Sequence, residues 1–175
     1  MGVEIQPIIR LACANDLQAV TAIYNWAVTR TVATFDLEER SPEAAWEWFQ
    51  VHQDPFYPLY VVENNGKVSG WGSLSPFHPR PAYRLTGEFS IYLHPDRQGR
   101  GLGTLLLERL CWAAADIGYH SLIGLITASN CASLRLAAKC GFVEVGRYRE
   151  VGRKFGQWLD VIAVQKMFAV KETAG

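Results

Sequence analysis

The sequence predicts an α/β (α+β) fold in one domain over residues 1–175, in which antiparallel strand pairs alternate with helices. A chain of this length can bury one compact core, and no stretch of it resembles a linker between two domains. The turn Asn64-Asn65-Gly66-Lys67 joins two strand-like runs, and Asn-Gly supplies the positive φ angles of a tight hairpin. A strand at 88–93 leads through a glycine-rich turn into a long helix that ends at Gly118.

Local patterns predict the other elements in order. Ile5 to Leu11 is predicted to be a strand, after which Asn15 or Asp16 caps a helix with apolar residues at helical spacing. Ser41-Pro42-Glu43 begins a second, short helix, because serine caps helices and proline is tolerated at the first helical position. The remaining elements are expected as hairpin strands at 59–63 and 68–74, a proline-rich loop at 75–84, a strand at 121–127, a short helix at 133–140, and a final strand pair at 142–151 and 158–168.

The composition excludes several classes of partner. Lysine plus arginine and aspartate plus glutamate each number 17, so no broad basic field exists to attract nucleic acid or anionic lipid. The first residues lack the features of a signal peptide, and no apolar run is long enough to span a membrane. We therefore expect a cytoplasmic protein that acts on a small molecule. The four cysteines lack C-x-x-C spacing, so we expect reduced thiols in or near the core and no metal site.

The glycine turn Gln98-Gly99-Arg100-Gly101-Leu102-Gly103 is the strongest indication of a binding site. The start of a helix has unpaired backbone N–H groups and partial positive charge, and glycine lets a phosphate approach that backbone closely. Arg97 and Arg100 add positive charge, so the turn suits a strongly anionic ligand such as a pyrophosphate. The Walker sequence is absent, and the glycines follow G-x-G-x-G rather than the dinucleotide spacing. The alternative is a turn whose glycines serve only to bend the chain.

Two motifs between residues 88 and 142 resemble the GNAT superfamily of acetyl-coenzyme A-dependent N-acetyltransferases. Gln98 to Gly103 matches the superfamily signature Q/R-x-x-G-x-G/A, and Asn130-Cys131-Ala132-Ser133 with Gly141-Phe142 resembles the segment that contacts the pantetheine arm. The resemblance extends to the phosphinothricin and methionine sulfoximine acetyltransferase branch through further segments at 23–25, 81–84, 88–93 and 152–160. It implies a splayed, mixed, mostly antiparallel sheet flanked by helices, acetyl-coenzyme A (acetyl-CoA) as cofactor, and a homodimer.

The resemblance also implies which residues bind the cofactor, and it assigns the cofactor core to residues 88–142. The residues expected to bind the cofactor are Ile91, Tyr92, Leu93, Gln98, Gly99, Arg100, Gly101, Leu102, Gly103, Thr104, Asn130, Ser133 and Lys139. Ile91 and Leu93 are expected to bind pantetheine through main-chain groups. A backbone N–H near Tyr92 is expected to stabilise the oxyanion.

Glu88 is the residue expected to act as general base in a direct transfer. The attacking amine must be neutral, whereas free amines have pKa values of roughly 8 to 10. Glu88 lies on the strand before the glycine turn and matches a motif glutamate of the branch, so we expect it to accept the proton directly or through water. The alternative is a strand-end carboxylate that only pairs with Arg84 or Arg80.

The group that protonates the leaving thiolate is left open by the sequence. The position that carries tyrosine or histidine in many relatives is Ala137 here. Either the thiolate leaves unassisted, or Ser133, Tyr92 or water donates the proton. Cys140 as the nucleophile of a ping-pong route is a further alternative, although a cysteine beside a helix-ending glycine is typical of a core.

The acceptor pocket is expected to form from segments 23–40 and 75–87. The expected substrate-binding residues are Asn25, Phe35, His78, Arg80, Tyr83, Arg84, Glu88, Phe89 and Ser90, with Trp71 as a further wall. Arg80 and Arg84 are the candidates to bind the carboxylate of a small amino-acid-like substrate of the phosphinothricin or methionine sulfoximine type. His78 stands where relatives often carry arginine. Two alternatives stay open, namely acetylation of a peptide or protein N-terminus and a non-catalytic acyl-CoA-binding module.

Overall fold

The computed structural model describes residues 6–169 as one mixed sheet with helices on both faces. The strands are β1 (Ile8–Leu11), β2 (Leu59–Asn64), β3 (Lys67–Pro76), β4 (Thr86–Leu93), β5 (Ser121–Thr127), β6 (Val143–Lys154) and β7 (Gln157–Met167). The α-helices are α1 (Leu17–Arg30), α2 (Pro42–Val51), α3 (Leu102–Ile117) and α4 (Cys131–Lys139). Over these residues the strand order is β1-β2-β3-β4-β5-β7-β6, and all neighbouring pairs are antiparallel except β4 with β5.

The two faces of the sheet have separate cores because side chains alternate along the central strands. Leu59 and Val61 of β2 pack on the face covered by α1 and α2. The alternate residues Tyr60 and Val62 pack on the face covered by α3. The fully buried leucines of α3 are Leu106, Leu107 and Leu110. Burial of such apolar side chains is the main favourable contribution to folding.

The sheet splays open in its middle. β4 and β5 pair in parallel over three residue pairs, the last of which joins Glu88 to Ile123. Beyond that point β4 continues to Leu93 and β5 continues to Thr127 without further pairing between them. This geometry confirms the predicted splayed, mostly antiparallel sheet.

Most local predictions are confirmed, with shifted boundaries. Asn65 and Gly66 have φ angles of 53° and 71°, as the tight hairpin requires. Ser41 caps α2 by accepting a hydrogen bond of 3.2 Å from the backbone N–H of Ala44. The prediction that a loop begins at residue 75 is wrong, because Pro76 occupies the last position of β3, where a missing N–H is tolerated. The predicted start of the first strand at Ile5 lies outside the described residues.

The fourth helix begins two residues earlier than predicted, at Cys131 rather than Ser133. The side chain of Asn130 accepts a hydrogen bond of 3.2 Å from the backbone N–H of Ser133 and so caps the helix. Asn130 was predicted as a cofactor contact, and its capping role shows why the helix starts here.

Arg10 and Asp16 fasten the first strand to the start of α1. The guanidinium of Arg10 binds the carboxylate of Asp16 at 2.6 Å and that of Glu63 on β2 at 3.0 Å. The backbone N–H of Cys13 also donates to Asp16, at 2.8 Å. The hydrogen bond from Arg10 lowers the pKa of the buried Asp16 carboxyl to about 2, against the opposing effect of burial.

The cysteine prediction is only half right. Cys111 and Cys140 are buried, whereas Cys13 and Cys131 are exposed and therefore lie outside the core. Among residues 6–169, no three histidine, cysteine or acidic side chains are grouped so that they could hold a metal ion. In the same part of the chain, no helix combines the length and apolarity needed to cross a bilayer.

Candidate active site

The divergence of β4 from β5 creates two connected cavities. The inner cleft, at the split itself, has a volume of about 530 Å³ and includes Glu88 and Ser90 in its lining. The outer groove, over the start of α3, has a volume of about 730 Å³ and includes Gly99 and Gly101. The residues that line both are Ala33, Ile91, Tyr92, Asn130, Ser133 and Leu136. Each volume is in the range of small-molecule sites, and one elongated ligand can occupy both.

Glu88 lies at the inner end of this opening. It is the last residue of β4 that pairs with β5, and its half-buried side chain lines the inner cleft. Within the described residues its carboxylate forms no ion pair or hydrogen bond, so the alternative that it only pairs with Arg80 or Arg84 is wrong. Burial raises the pKa of Glu88. An unpaired carboxylate of raised pKa in a cavity is typical of proton-transfer sites.

The glycine turn forms the outer end of the opening. Gly99 and Gly101 have φ angles of 73° and 77°, and a Cβ built on either meets no atom within 4 Å. Gly101 is also the N-cap of the 16-residue helix α3, whose first N–H groups face the turn. An anionic group therefore finds positive helix polarity and open space at this end of the groove.

The side chains predicted to bind the cofactor are distributed unevenly around the groove. The predicted residues that line it are Ile91, Tyr92, Leu93, Gln98, Gly99, Gly101, Gly103, Thr104, Asn130, Ser133 and Lys139. The structure does not bring the side chains of Arg100 and Leu102 to the groove, because Arg100 is exposed and Leu102 is buried in the core. Arg30 and Arg135 line the groove although the sequence did not single them out. Two signals in the sequence could have indicated them. Arg30 ends the predicted first helix, and Arg135 lies on the short helix that follows Asn130.

The loop between α1 and α2 crosses the opening of the sheet. We call residues 32–34 the strap. The hydroxyl of Thr127 on β5 donates to the carbonyl of Val32 at 2.5 Å. The hydroxyl of Tyr92 on β4 donates to the carbonyl of Ala33 at 3.4 Å. Three consecutive strap carbonyls are held in all, because Lys154 of β6 donates to the carbonyl of Thr34 at 2.7 Å.

Tyr92 lies where the cleft and the groove meet. Its ring packs on Trp71, with the ring centroids 4.8 Å apart, and on Tyr24, at 5.1 Å. Burial raises the pKa of Tyr92 well above its ordinary value, so its hydroxyl stays protonated at neutral pH. Trp71 itself is buried in the core and donates to the carbonyl of Val20 at 3.1 Å, so it does not wall the cleft.

Three of the predicted acceptor residues line the inner cleft beside Glu88. They are Phe35, Phe89 and Ser90. Further walls that the sequence did not identify are Thr34, Phe77, Leu125, Tyr148 and Val151. Because these come from two loops and two strands, no single stretch of sequence reveals them. Among the described residues that line the inner cleft, Glu88 is the one aspartate, glutamate, lysine, arginine or histidine.

The structure does not bring the other predicted acceptor residues to the cleft. The side-chain amide of Asn25 is occupied by the backbone of Arg40, from which it accepts at 2.9 Å and to which it donates at 3.0 Å. The loop that holds His78, Arg80, Tyr83 and Arg84 leaves the cleft wall at Phe77, and none of the four side chains lines either cavity. The ring of His78 instead packs on Tyr83, with centroids 4.7 Å apart. Ala137, at the expected general-acid position, is fully buried.

Known proteins share this architecture. The model of the Acetyltransferase (GNAT) family matches residues 20–142. The chain is 40% identical over 157 residues to the L-amino acid N-acyltransferase MnaT of Escherichia coli K12, covering 90% of this chain and 91% of that protein. It is 38% identical over 157 residues to the L-methionine sulfoximine/L-methionine sulfone acetyltransferase of Salmonella typhimurium, covering 90% and 92%. It superposes with a TM-score of 0.91 and 31% identity on the phosphinothricin acetyltransferase of Sinorhizobium meliloti in complex with acetyl-CoA, covering 97% of this chain and 95% of that one.

The site suits acetyl-CoA, the molecule bound in the Sinorhizobium meliloti structure. A helix start with two open, positive-φ glycines is suited to an anionic group such as a pyrophosphate, and the groove beside it shares lining residues with the cleft that holds Glu88. The resemblance to the phosphinothricin and methionine sulfoximine branch and the prediction of acetyl-CoA as cofactor are thereby confirmed. With a family model that matches most of the chain, the splayed sheet and its two connected cavities identify the chain as a member of the GNAT family of acetyltransferases, enzymes that use acetyl-CoA.

Proposed function

We propose that this enzyme acetylates the amino group of a small amino-acid-like molecule by direct transfer, with Glu88 as the general base. The observation that carries the proposal is the position of Glu88. It is unpaired in the inner cleft where β4 and β5 separate, and this cleft shares lining residues with a groove suited to acetyl-CoA. The printed names of two relatives, an L-amino acid N-acyltransferase and an L-methionine sulfoximine/L-methionine sulfone acetyltransferase, support an acceptor of this class.

Glu88 takes up the proton that the amine must lose. Acetyl-CoA supplies the acetyl group as an activated thioester. As the amine nitrogen bonds to the acetyl carbon, the carbon–sulfur bond breaks and a proton leaves the nitrogen for Glu88, directly or through water. Because burial raises the pKa of Glu88, its carboxylate is a stronger base than that of an exposed glutamate.

The leaving thiolate takes a proton from one of the donors that reach both cavities. Ala137 has no proton to donate and is buried. Ser133 and Tyr92 each line both the cleft and the groove, so both stay candidates, together with water. The hydroxyl of Tyr92 is already directed at the carbonyl of Ala33, which favours Ser133 or water over Tyr92.

We further propose that residues 88–142 provide the cofactor core and that Gln98, Gly99, Gly101 and Thr104 bind the pyrophosphate end. Both proposals are supported by the position of these residues along the outer groove. Backbone N–H and C=O groups of β4 beyond Glu88 alternate between β3 and the side left open by β5. Those on the open side are available to bind the amides of the cofactor arm.

We propose Arg80 or Arg84 as the partner of the acceptor's carboxylate, with both side chains lying outside the inner cleft on the adjoining loop. The inner cleft holds no cation among its described lining residues, and the loop with both arginines starts at Phe77 in the cleft wall. A substrate that places its amine near Glu88 would then place its carboxylate toward this loop. A small substrate agrees with the cleft volume of about 530 Å³.

A homodimer is also proposed. β6 is the last strand at one edge of the sheet, and its apolar residues Val143 and Val145, which line neither cavity, are each more than half exposed. An edge strand with such side chains is suited to pairing with another chain. Sedimentation of the purified protein at several concentrations tests this, and a monomer at all of them would contradict it. A cytoplasmic location stays a prediction, to be tested by cell fractionation.

The function is tested by measuring thiol release from acetyl-CoA with a panel of amines. The panel contains methionine sulfoximine, methionine sulfone, phosphinothricin, aromatic amines, polyamines and peptides with free N-termini. Turnover of the amino-acid analogues supports the proposal, and Arg80→Ala and Arg84→Ala should then raise their KM. Activity on peptides or other amines alone would contradict the proposed acceptor class.

A further inference from the structure

Three strands of the split sheet are tied to one short piece of loop. The donors to the strap carbonyls are Thr127 of β5, Tyr92 of β4 and Lys154 of β6. β4 and β5 are the two strands that diverge at Glu88, and β6 lies beyond both of them at the far edge of the sheet. The strap therefore spans the opening and joins its two sides.

The strap also forms the boundary between the two cavities. Ala33, its middle residue, lines both the inner cleft and the outer groove. Thr34 and Phe35, which follow, line only the inner cleft. Val32, by contrast, lines only the outer groove. A shift of Thr34 and Phe35 alone would thus alter the space for the acceptor and leave the groove for the cofactor in place.

We propose that Lys154 is a positioning residue, which holds Thr34 in place and thereby sets the wall against which the acceptor amine is aligned. This inference rests on the proposed function. Lys154 is 3% exposed, and its ammonium group lies 2.7 Å from the carbonyl oxygen of Thr34. Burying a lysine is costly unless it is paired, and this bond offsets that cost together with a cation–π contact of 5.3 Å between the ammonium group and the centroid of the Phe155 ring. Burial lowers the pKa of Lys154, while the negative charge of Asp36 opposes that effect.

A second contact from the same hairpin supports this assignment. The ring of Phe35 packs directly on the backbone of Gly152, leaving no room for a side chain there. Two residues farther along β6, Lys154 holds the carbonyl of Thr34. The end of the β6–β7 hairpin thus contacts two adjacent residues, Thr34 through a hydrogen bond and Phe35 through packing, and both line the inner cleft.

The test compares Lys154→Met with Lys166→Met. The second variant is a matched control, because Lys166 also lies near the end of a strand and donates to a backbone carbonyl, that of Cys140, at 2.7 Å. Lys166 lines neither cavity. Both variants lose one lysine-to-carbonyl bond and keep a side chain of similar length, and Lys154→Arg retains a cationic donor.

We expect Lys154→Met to raise the KM of the acceptor by about tenfold or more, the size expected for losing a hydrogen bond from a charged group. The KM of acetyl-CoA should stay within about twofold of the wild-type value, because Thr34, the residue that loses its hydrogen bond, lines the inner cleft and not the outer groove. Lys166→Met should change neither KM, and Lys154→Arg should restore part of the acceptor KM. Equal effects of the two methionine variants on both KM values would overturn the proposal, since they would indicate a general structural role.

Amide hydrogen exchange provides a readout that does not depend on the acceptor. In Lys154→Met the amides of residues 33–36 should exchange at least about tenfold faster than in Lys166→Met, because the strap has lost its anchor. Unchanged exchange there would refute the role of Lys154 even if no amine were ever acetylated. A different outcome would separate the two proposals. Faster exchange in Lys154→Met, combined with a wild-type enzyme that acetylates no amine in the panel, would support the role of Lys154 in holding the strap and reject the proposed function.

Discussion

Replacing Glu88 with glutamine removes the proposed base while keeping its size. Glutamine cannot take up the proton of the amine, and general bases contribute about 10²–10⁴-fold to rate. We therefore expect kcat at pH 7 to fall at least about 100-fold, which corresponds to about 2.7 kcal/mol of activation free energy. The affinity for acetyl-CoA should be nearly unchanged, because Glu88 lines the inner cleft and not the outer groove.

The same substitution should make the protein more stable at neutral pH. Burial raises the pKa of Glu88, so its contribution to the free energy of unfolding is most favourable below the ordinary glutamate pKa and declines as pH rises through the raised pKa. Glutamine carries no charge and avoids this decline. The variant should gain about 1.4 kcal/mol at pH 7 for each unit by which burial raises the pKa, and the gain should disappear near pH 4.

Two assays on the same preparations decide the matter. Thiol release measures kcat and its pH dependence, and urea unfolding at pH 4 and pH 7 measures the stability difference. Glu144→Gln is the matched control, because Glu144 is an exposed carboxylate of β6 that lines neither cavity. Equal activity of Glu88→Gln and wild type would show that another group, or bulk water, is the base. A variant less stable than wild type at pH 7 would refute the argument from burial.

Two further predictions concern the fold and the cofactor end of the site. Asp16→Asn should lower the free energy of unfolding by about 2 kcal/mol at pH 7, because the pKa of Asp16 lies at about 2 rather than 3.8. That loss should vanish as pH falls from about 4 to about 2, which urea unfolding in acid would check. Gly101→Ala should cost about 1–2 kcal/mol and weaken acetyl-CoA binding in calorimetry, since its φ of 77° strains any residue with a Cβ. Gly146→Ala, where an added Cβ meets nothing and φ is not positive, should change neither property.

The elements that the sequence predicted well are those whose backbone conformation is determined by neighbouring residues in the chain. The Asn65-Gly66 hairpin and the glycine turn need backbone angles that few residues adopt, so the residue types themselves reveal the geometry. Glu88 could be selected because it precedes that turn by a short strand. These features fixed the expected class of ligand before any tertiary contact was known.

The features that were missed depend on residues far apart in the chain. Lys154 and Thr34 are 120 positions apart, and Thr127 and Val32 are 95 apart. Short-range patterns contain no information on such pairs, because the sheet order that brings them together is set by packing of the whole core. For the same reason the sequence assigned Asn25 to the acceptor, whereas its amide is used to fold the chain back at Arg40.

The divergence of β4 from β5 also bears on how this protein avoids aggregation. A sheet that opens in its middle has two inner edges, and unpaired edges are templates for strands of other chains. Because the two edges separate from a single point at Glu88 and Ile123, a foreign strand could pair with one of them but could not bridge both at regular spacing. The strap and α4 border the same opening. A strand from another molecule would have to displace them before it could pair, so these parts of the binding site also hinder misassembly.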